Sequence, residues 1–283
     1  MIRLFFLLIL FLSFNYVWTQ RNFESFLETV LSVTTNDVEW PKTAKNTLSK
    51  RERESIKKIL SDTVYFQCYE SEYFEIYLRD FYFIDLDGDS DLDILYNGRL
   101  CPGYESELVV VYINKEGKYI REIFHNGRIL DFDRNTNRLL CYSYPCCSSF
   151  SHIYSSFSFG KDNACLDFSV ISFAEQLGPN NLIKRQSQLL NSDFLTLDKN
   201  TELFFFSDGN EEIMYSGFKN LMGVTNKVIT VSAYDKKMDK SGVVWYYMAV
   251  KTEDIELENN EQSAYFSPQN QYLMLWIRNY PLD

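Results

Sequence analysis

Histidine is nearly missing from this chain of 283 residues, which holds only His125 and His152. Both sit beside strand-like sequence and read as packing or surface residues rather than catalytic bases. No His-Glu-x-x-His, Gly-x-Ser-x-Gly, P-loop or dinucleotide-binding glycine pattern is present. Paired carboxylates for glycoside hydrolysis need no fixed spacing, so the sequence leaves that chemistry open and identifies no catalytic residue. Basic residues are also short, 28 Lys and Arg against 39 Asp and Glu, for a net charge of -11. That balance argues against nucleic acid and against an anionic membrane surface as partners. Beyond the first residues, no apolar run approaches the ~20 residues of a membrane span.

What is abundant is apolar and aromatic. The chain is 46% hydrophobic and 17% aromatic, with 20 Tyr and 23 Phe, which suits a real core and favours strands. "MIRLFFLLILFLSFNYVWTQ" opens with Arg3 and an apolar run from Leu4 to Phe14, the pattern of an export signal. Val17 and Thr19 stand at the -3 and -1 positions, so cleavage is expected before Gln20. No cysteine follows closely, which argues against a lipid anchor. The expected location is therefore secreted, periplasmic or cell-surface. Six cysteines, Cys68, Cys101, Cys141, Cys146, Cys147 and Cys165, fit an oxidising compartment and suggest disulfides, with the pairing left open. "CYSYPCCSSFSHIY" brings three of them near His152, but its spacing is not that of a zinc site.

The expected fold class is mainly β: a helical N-terminal segment, an antiparallel β domain with one calcium loop, and a small C-terminal β-barrel. Residues 1–19 form the signal peptide and 20–62 a helical segment. "NFESFLETVLSV" carries Phe23, Phe26, Leu27, Val30 and Leu31 at helical spacing, and Pro41 is placed to open a second helix. "TLSKRERESIKKIL" reads as a solvated helix with Leu48, Ile56, Ile59 and Leu60 as its apolar positions. Residues 63–173 form a disulfide-bearing β domain, with "VYFQCYE", "YFEIYLRDFYFIDL", "DILYNG", "ELVVVYINKEGKYIREIF" and "RILDFD" as strands. Gly117 marks a hairpin turn within the fourth of these. Residues 174–192 are a linker, and 193–283 a second β domain.

"FIDLDGDSDLDILYNG" concentrates the chemistry. Asp85, Asp87, Asp89, Asp91 and Asp93 occupy every second position between two apolar runs. On a plain strand all five carboxylates would share one face, about 7 Å apart. Each neighbouring pair would then repel by roughly 0.6 kcal/mol in water, about 2 kcal/mol over the run. Gly88 weakens a strand further but allows a sharp turn. A loop wrapped round a hard divalent cation removes the conflict, because calcium takes roughly six to eight oxygens at about 2.3–2.6 Å. Magnesium fits less well, since it retains several waters. A second alternating stretch, Asp131, Asp133, Asn135 and Asn137, has Leu139 where a last carboxylate would fall and reads as a polar hairpin turn.

"DLDGDSDLDIL" closely resembles the calcium loop of FG-GAP/VCBS-type repeats, the Asp-x-Asp-Gly-Asp-x-x-x-Asp strand-loop-strand units of integrin-like β-propellers and many secreted bacterial proteins. The resemblance implies that Asp85, Asp87, Asp89 and Asp93 supply carboxylate oxygens and Asp91 its backbone carbonyl. The family usually has Gly where this chain has Ser90, so Ser90 must take a conformation that suits glycine better. The C-terminal "ELFFFSD", "VVWYYMAVK" and "LMLWIRNYPLD" resemble, more loosely, bacterial Src-homology-3-like barrels. Trp245, Tyr246, Tyr247 and Trp276 are there either a ligand-facing surface or aromatics of a compact core. Together these features suggest an exported calcium-binding protein acting as a non-catalytic binding or adhesion module for a protein or glycan ligand. The competing class is a secreted hydrolase in which calcium is a structural ion.

Overall fold

The computed structural model describes residues 23, 25–27, 48–61, 66, 68–99, 101, 107–143, 151–160, 163–173, 193–207, 220–258 and 271–279. The export signal at 1–19, most of the helical segment 20–62 outside 48–61, the linker 174–192, Pro41, Cys146 and Cys147 lie outside these residues. The protein is mainly β, as its aromatic and β-branched content suggests. It divides into two compact units, Thr35–Ser169 and Val170–Asp283 with Met1–Thr34.

The first unit begins with helix α1 (Lys50–Leu60). Ser49 caps it: its side chain accepts from the Glu52 N–H while the Glu52 carboxylate accepts from the Ser49 N–H. Lys57 and Lys58 in the last turn complement the helix dipole. The charged residues face water and Ile56, Ile59 and Leu60 are buried. Residues 73–80, which read as a strand from their aromatics, are instead helical. A 3-10 turn (Ser71–Tyr73) leads into α2 (Phe74–Tyr77) and a second turn (Leu78–Asp80). Phe74, Tyr77 and Leu78 are the buried residues, at i, i+3 and i+4, and this helical periodicity outweighs the strand propensity of the individual residues. Phe66 and residues 68–70, also expected in a strand, lie outside any strand.

Four antiparallel strands follow in order: β1 (Phe81–Ile84), β2 (Asp93–Arg99), β3 (Glu107–Lys115) and β4 (Lys118–Asn126). The inner part of the sheet is covered on both faces, which explains why "LVVVYI" in β3 is continuously apolar rather than alternating, while β4 at the edge is largely exposed. Phe81, Phe83, Ile94, Tyr96, Leu108, Val110 and Tyr112 pack with α1, α2 and Phe66. Tyr82, Ile84, Leu95, Val109, Val111 and Ile113 point the other way, onto Ile129, Leu139, Cys141 and Phe159. Those residues belong to β5 (Arg128–Asp133), β6 (Arg138–Ser143) and β7 (Ser151–Phe159), which continue antiparallel to β8 (Ala164–Phe173). A helical layer, a central sheet and a second sheet thus share one stack. The expected β3–β4 hairpin forms with both Glu116 and Gly117 at positive φ (54° and 82°), the conformation of a type I′ turn.

A disulfide joins Cys68, ahead of α2, to Cys101, just beyond β2. Cys141 is a buried free thiol, raised in pKa by burial, and Cys165 is an exposed free thiol.

The second unit holds β9 (Asp193–Leu197), β10 (Glu202–Phe204), β11 (Leu221–Thr225), β12 (Ile229–Met238), β13 (Val244–Lys251), β14 (Ile255–Leu257) and β15 (Gln271–Asn279). β15 pairs along its length with β13 and, through Trp276, with Phe204 of β10. β13 leads on to β12 and β9; β10 leads on to β11 and β14. The small barrel expected here does not close among the described residues. β9 and β14 remain at the two ends of an open path, and β14 is only three residues long. Phe23 stacks on Tyr272 at 3.7 Å, which docks the helical residues 25–27 and their neighbour Phe23 onto β15.

Candidate metal site

The aspartate run is the loop between β1 and β2, at the end of the two-sided central sheet. Leu86, fully buried against the second sheet, anchors its start, and Asp93 opens β2 at its end. Gly88 at φ 80° and Ser90 at φ 75° bend the chain between these anchors. Ser90 therefore adopts a left-handed conformation, at a cost of about 1–2 kcal/mol for a residue with a Cβ. Gly88 has a second reason to lack a side chain: a Cβ there would lie 3.1 Å from Asn137 Nδ2, on the β5–β6 turn that abuts the loop.

This bend gathers what a strand would spread. Asp85, Asp87 and Asp89 each present a carboxylate oxygen within 4.8 Å of the others. Three hard oxygens gathered in this way could hold a cation. Asp87 is only 8% exposed, while Asp89 and Asp91 are open to solvent. Desolvation, then the charges of Asp89 and Asp85, push the Asp87 pKa upward, opposed by a hydrogen bond from the Asp89 N–H. The loop's own amides supply part of the compensation. Asp85 accepts from the N–H groups of Gly88 (2.8 Å) and Ser90 (3.1 Å), Asp87 from Asp89 (3.2 Å), and Asp89 from Asp91 (2.8 Å). The last two are Asx turns, and all four bonds hold the carboxylates against the backbone.

Asp93 has a different setting from the three gathered residues. It is fully buried, and its two oxygens accept from the Leu86 N–H and the Asn114 N–H, both at 2.8 Å. It thereby ties the entry of the loop to β3. Desolvation, with a smaller contribution from the charges of Asp87 and Asp89, raises its pKa to about 6 against those two hydrogen bonds. Asp91 carries its side chain into solvent. Of the five aspartates expected at the metal, three converge, one is the buried brace, and one is exposed. The donors to Asp93 were not legible in the sequence, since Asn114 lies 21 residues away and acts through its backbone.

The second alternating stretch is a polar turn between β5 and β6, as expected. Asp133 accepts from the Thr136 hydroxyl and the Asn135 N–H, which hold its carboxyl below the usual range. The two histidines are packing residues. His125 Nε2 lies 3.1 Å from the Ser143 hydroxyl, but that hydroxyl donates to the Asn126 carbonyl. Burial lowers the His125 pKa to about 4, which makes it a weak base at neutral pH. His152 is buried, with Nδ1 2.7 Å from the Tyr142 hydroxyl. Three of the aromatics considered as a ligand-facing surface are core: Trp245, Tyr247 and Trp276 are at most 5% exposed. Tyr246 is half-buried beneath the Lys236 ammonium, 5.2 Å from its ring centre.

Comparison of the chain with protein-family models, with curated proteins and with solved structures finds no match. Among the described residues, no helix is long and apolar enough to cross a membrane.

Proposed function

We propose that the protein is an exported calcium-binding module whose β1–β2 loop is set by the ion, and that it binds a protein or glycan ligand without chemically altering it. The convergence of Asp85, Asp87 and Asp89 carries this reading. All three donors are hard, anionic oxygens, the set that suits calcium better than zinc or copper. The FG-GAP/VCBS-like pattern would add the Asp91 carbonyl and Asp93, whose oxygens here accept from the Leu86 and Asn114 N–H groups. The ion would neutralise like charges gathered beside the core and so stiffen the loop. The Cys68–Cys101 disulfide is compatible with export to an oxidising compartment. The low basicity of His125, and the Ser143 hydroxyl turned to a carbonyl, weigh against an acyl-transfer dyad in the same unit.

The test uses the full mature chain, with millimolar calcium and with EDTA, against immobilised glycans, peptidoglycan and generic ester and peptide substrates. Saturable, calcium-dependent binding without turnover is the expected result. Turnover abolished by one point substitution would instead place the protein among hydrolases with a structural ion.

A further inference from the structure

We draw no further inference here: the strongest candidate, the polar cluster of Arg128, Tyr142 and His152 on β5 to β7, leaves Arg128 Nε and His152 Nε2 without a hydrogen-bond partner among the described residues, and nothing in the structure shows what covers it.

Discussion

Replacing Asp87 by Asn should have opposite effects on stability with and without calcium. Asp87 faces two like charges whose oxygens lie within 4.8 Å, a distance at which each pair repels by about 0.9 kcal/mol in water. Because Asp89 is exposed, the water-screened value is the appropriate one, giving about 1–2 kcal/mol of relief. The amide keeps an oxygen to accept from the Asp89 N–H, so the turn itself survives. In EDTA the variant should therefore melt higher than the wild type, by roughly 2–4 °C per kcal/mol. With calcium at about a hundred times its dissociation constant, the wild type gains about 2.7 kcal/mol. The variant has lost a ligand and much of that gain, so the order of the two midpoints should reverse. Thermal or urea unfolding of both proteins under both conditions reads this directly. A variant that is destabilised equally in EDTA and in calcium would refute the electrostatic reasoning.

Other expectations follow from the same geometry. Without calcium, Asp93 and His125 should oppose each other between about pH 4 and 6.5. Asp93 has its folded pKa raised to about 6, so its contribution to stability is present at low pH and lost as pH rises through 6. His125 has its folded pKa lowered to about 4, so its contribution is present above about 6.5 and lost as pH falls toward 4. His152, whose pKa burial also lowers, acts in the same direction as His125. Asp93→Asn should therefore make stability rise more steeply with pH across that window and His125→Gln less steeply, each changing the slope by at most about 1.4 kcal/mol per pH unit; urea midpoints at several pH values in EDTA check both slopes. Ser90→Gly should stabilise by about 0.5–1 kcal/mol, by releasing a left-handed serine against the entropy that glycine loses. Gly88→Ala should destabilise by about 1–2 kcal/mol, since φ is 80° and the new methyl meets Asn137; chemical unfolding measures both loop variants. Replacing Cys68 and Cys101 by Ser opens a loop with a sequence separation of 33 and should cost about 3–4 kcal/mol by the same assay.

Much of the β1–β8 region was legible because its signals are local. The hairpin at Gly117, the turn after Asp133 and the bend at Gly88 and Ser90 follow from residues within a few positions of each other. The Ser49–Glu52 pair likewise starts α1 where the charged pattern begins. The failures were tertiary. Phe74, Tyr77 and Leu78 look like strand residues until the sheet that buries them is known. β14, three residues long, is too short to announce itself and exists by pairing with β11, about 30 residues earlier in the chain. Trp245 and Trp276 could serve a surface or a core; their burial in the sheet where β13 pairs with β15 decides for the core. At the loop, alternation gave the five aspartates, but which of them converge depends on where Leu86 and Asn114 hold Asp93.

The most direct test is calorimetric titration of calcium into the EDTA-stripped, full mature chain, alongside a variant carrying Asn at 85, 87 and 89. One saturable site per wild-type chain and none in the variant is the expected result. Absence of binding by a folded wild type at millimolar calcium, or equal binding by both proteins, would contradict it.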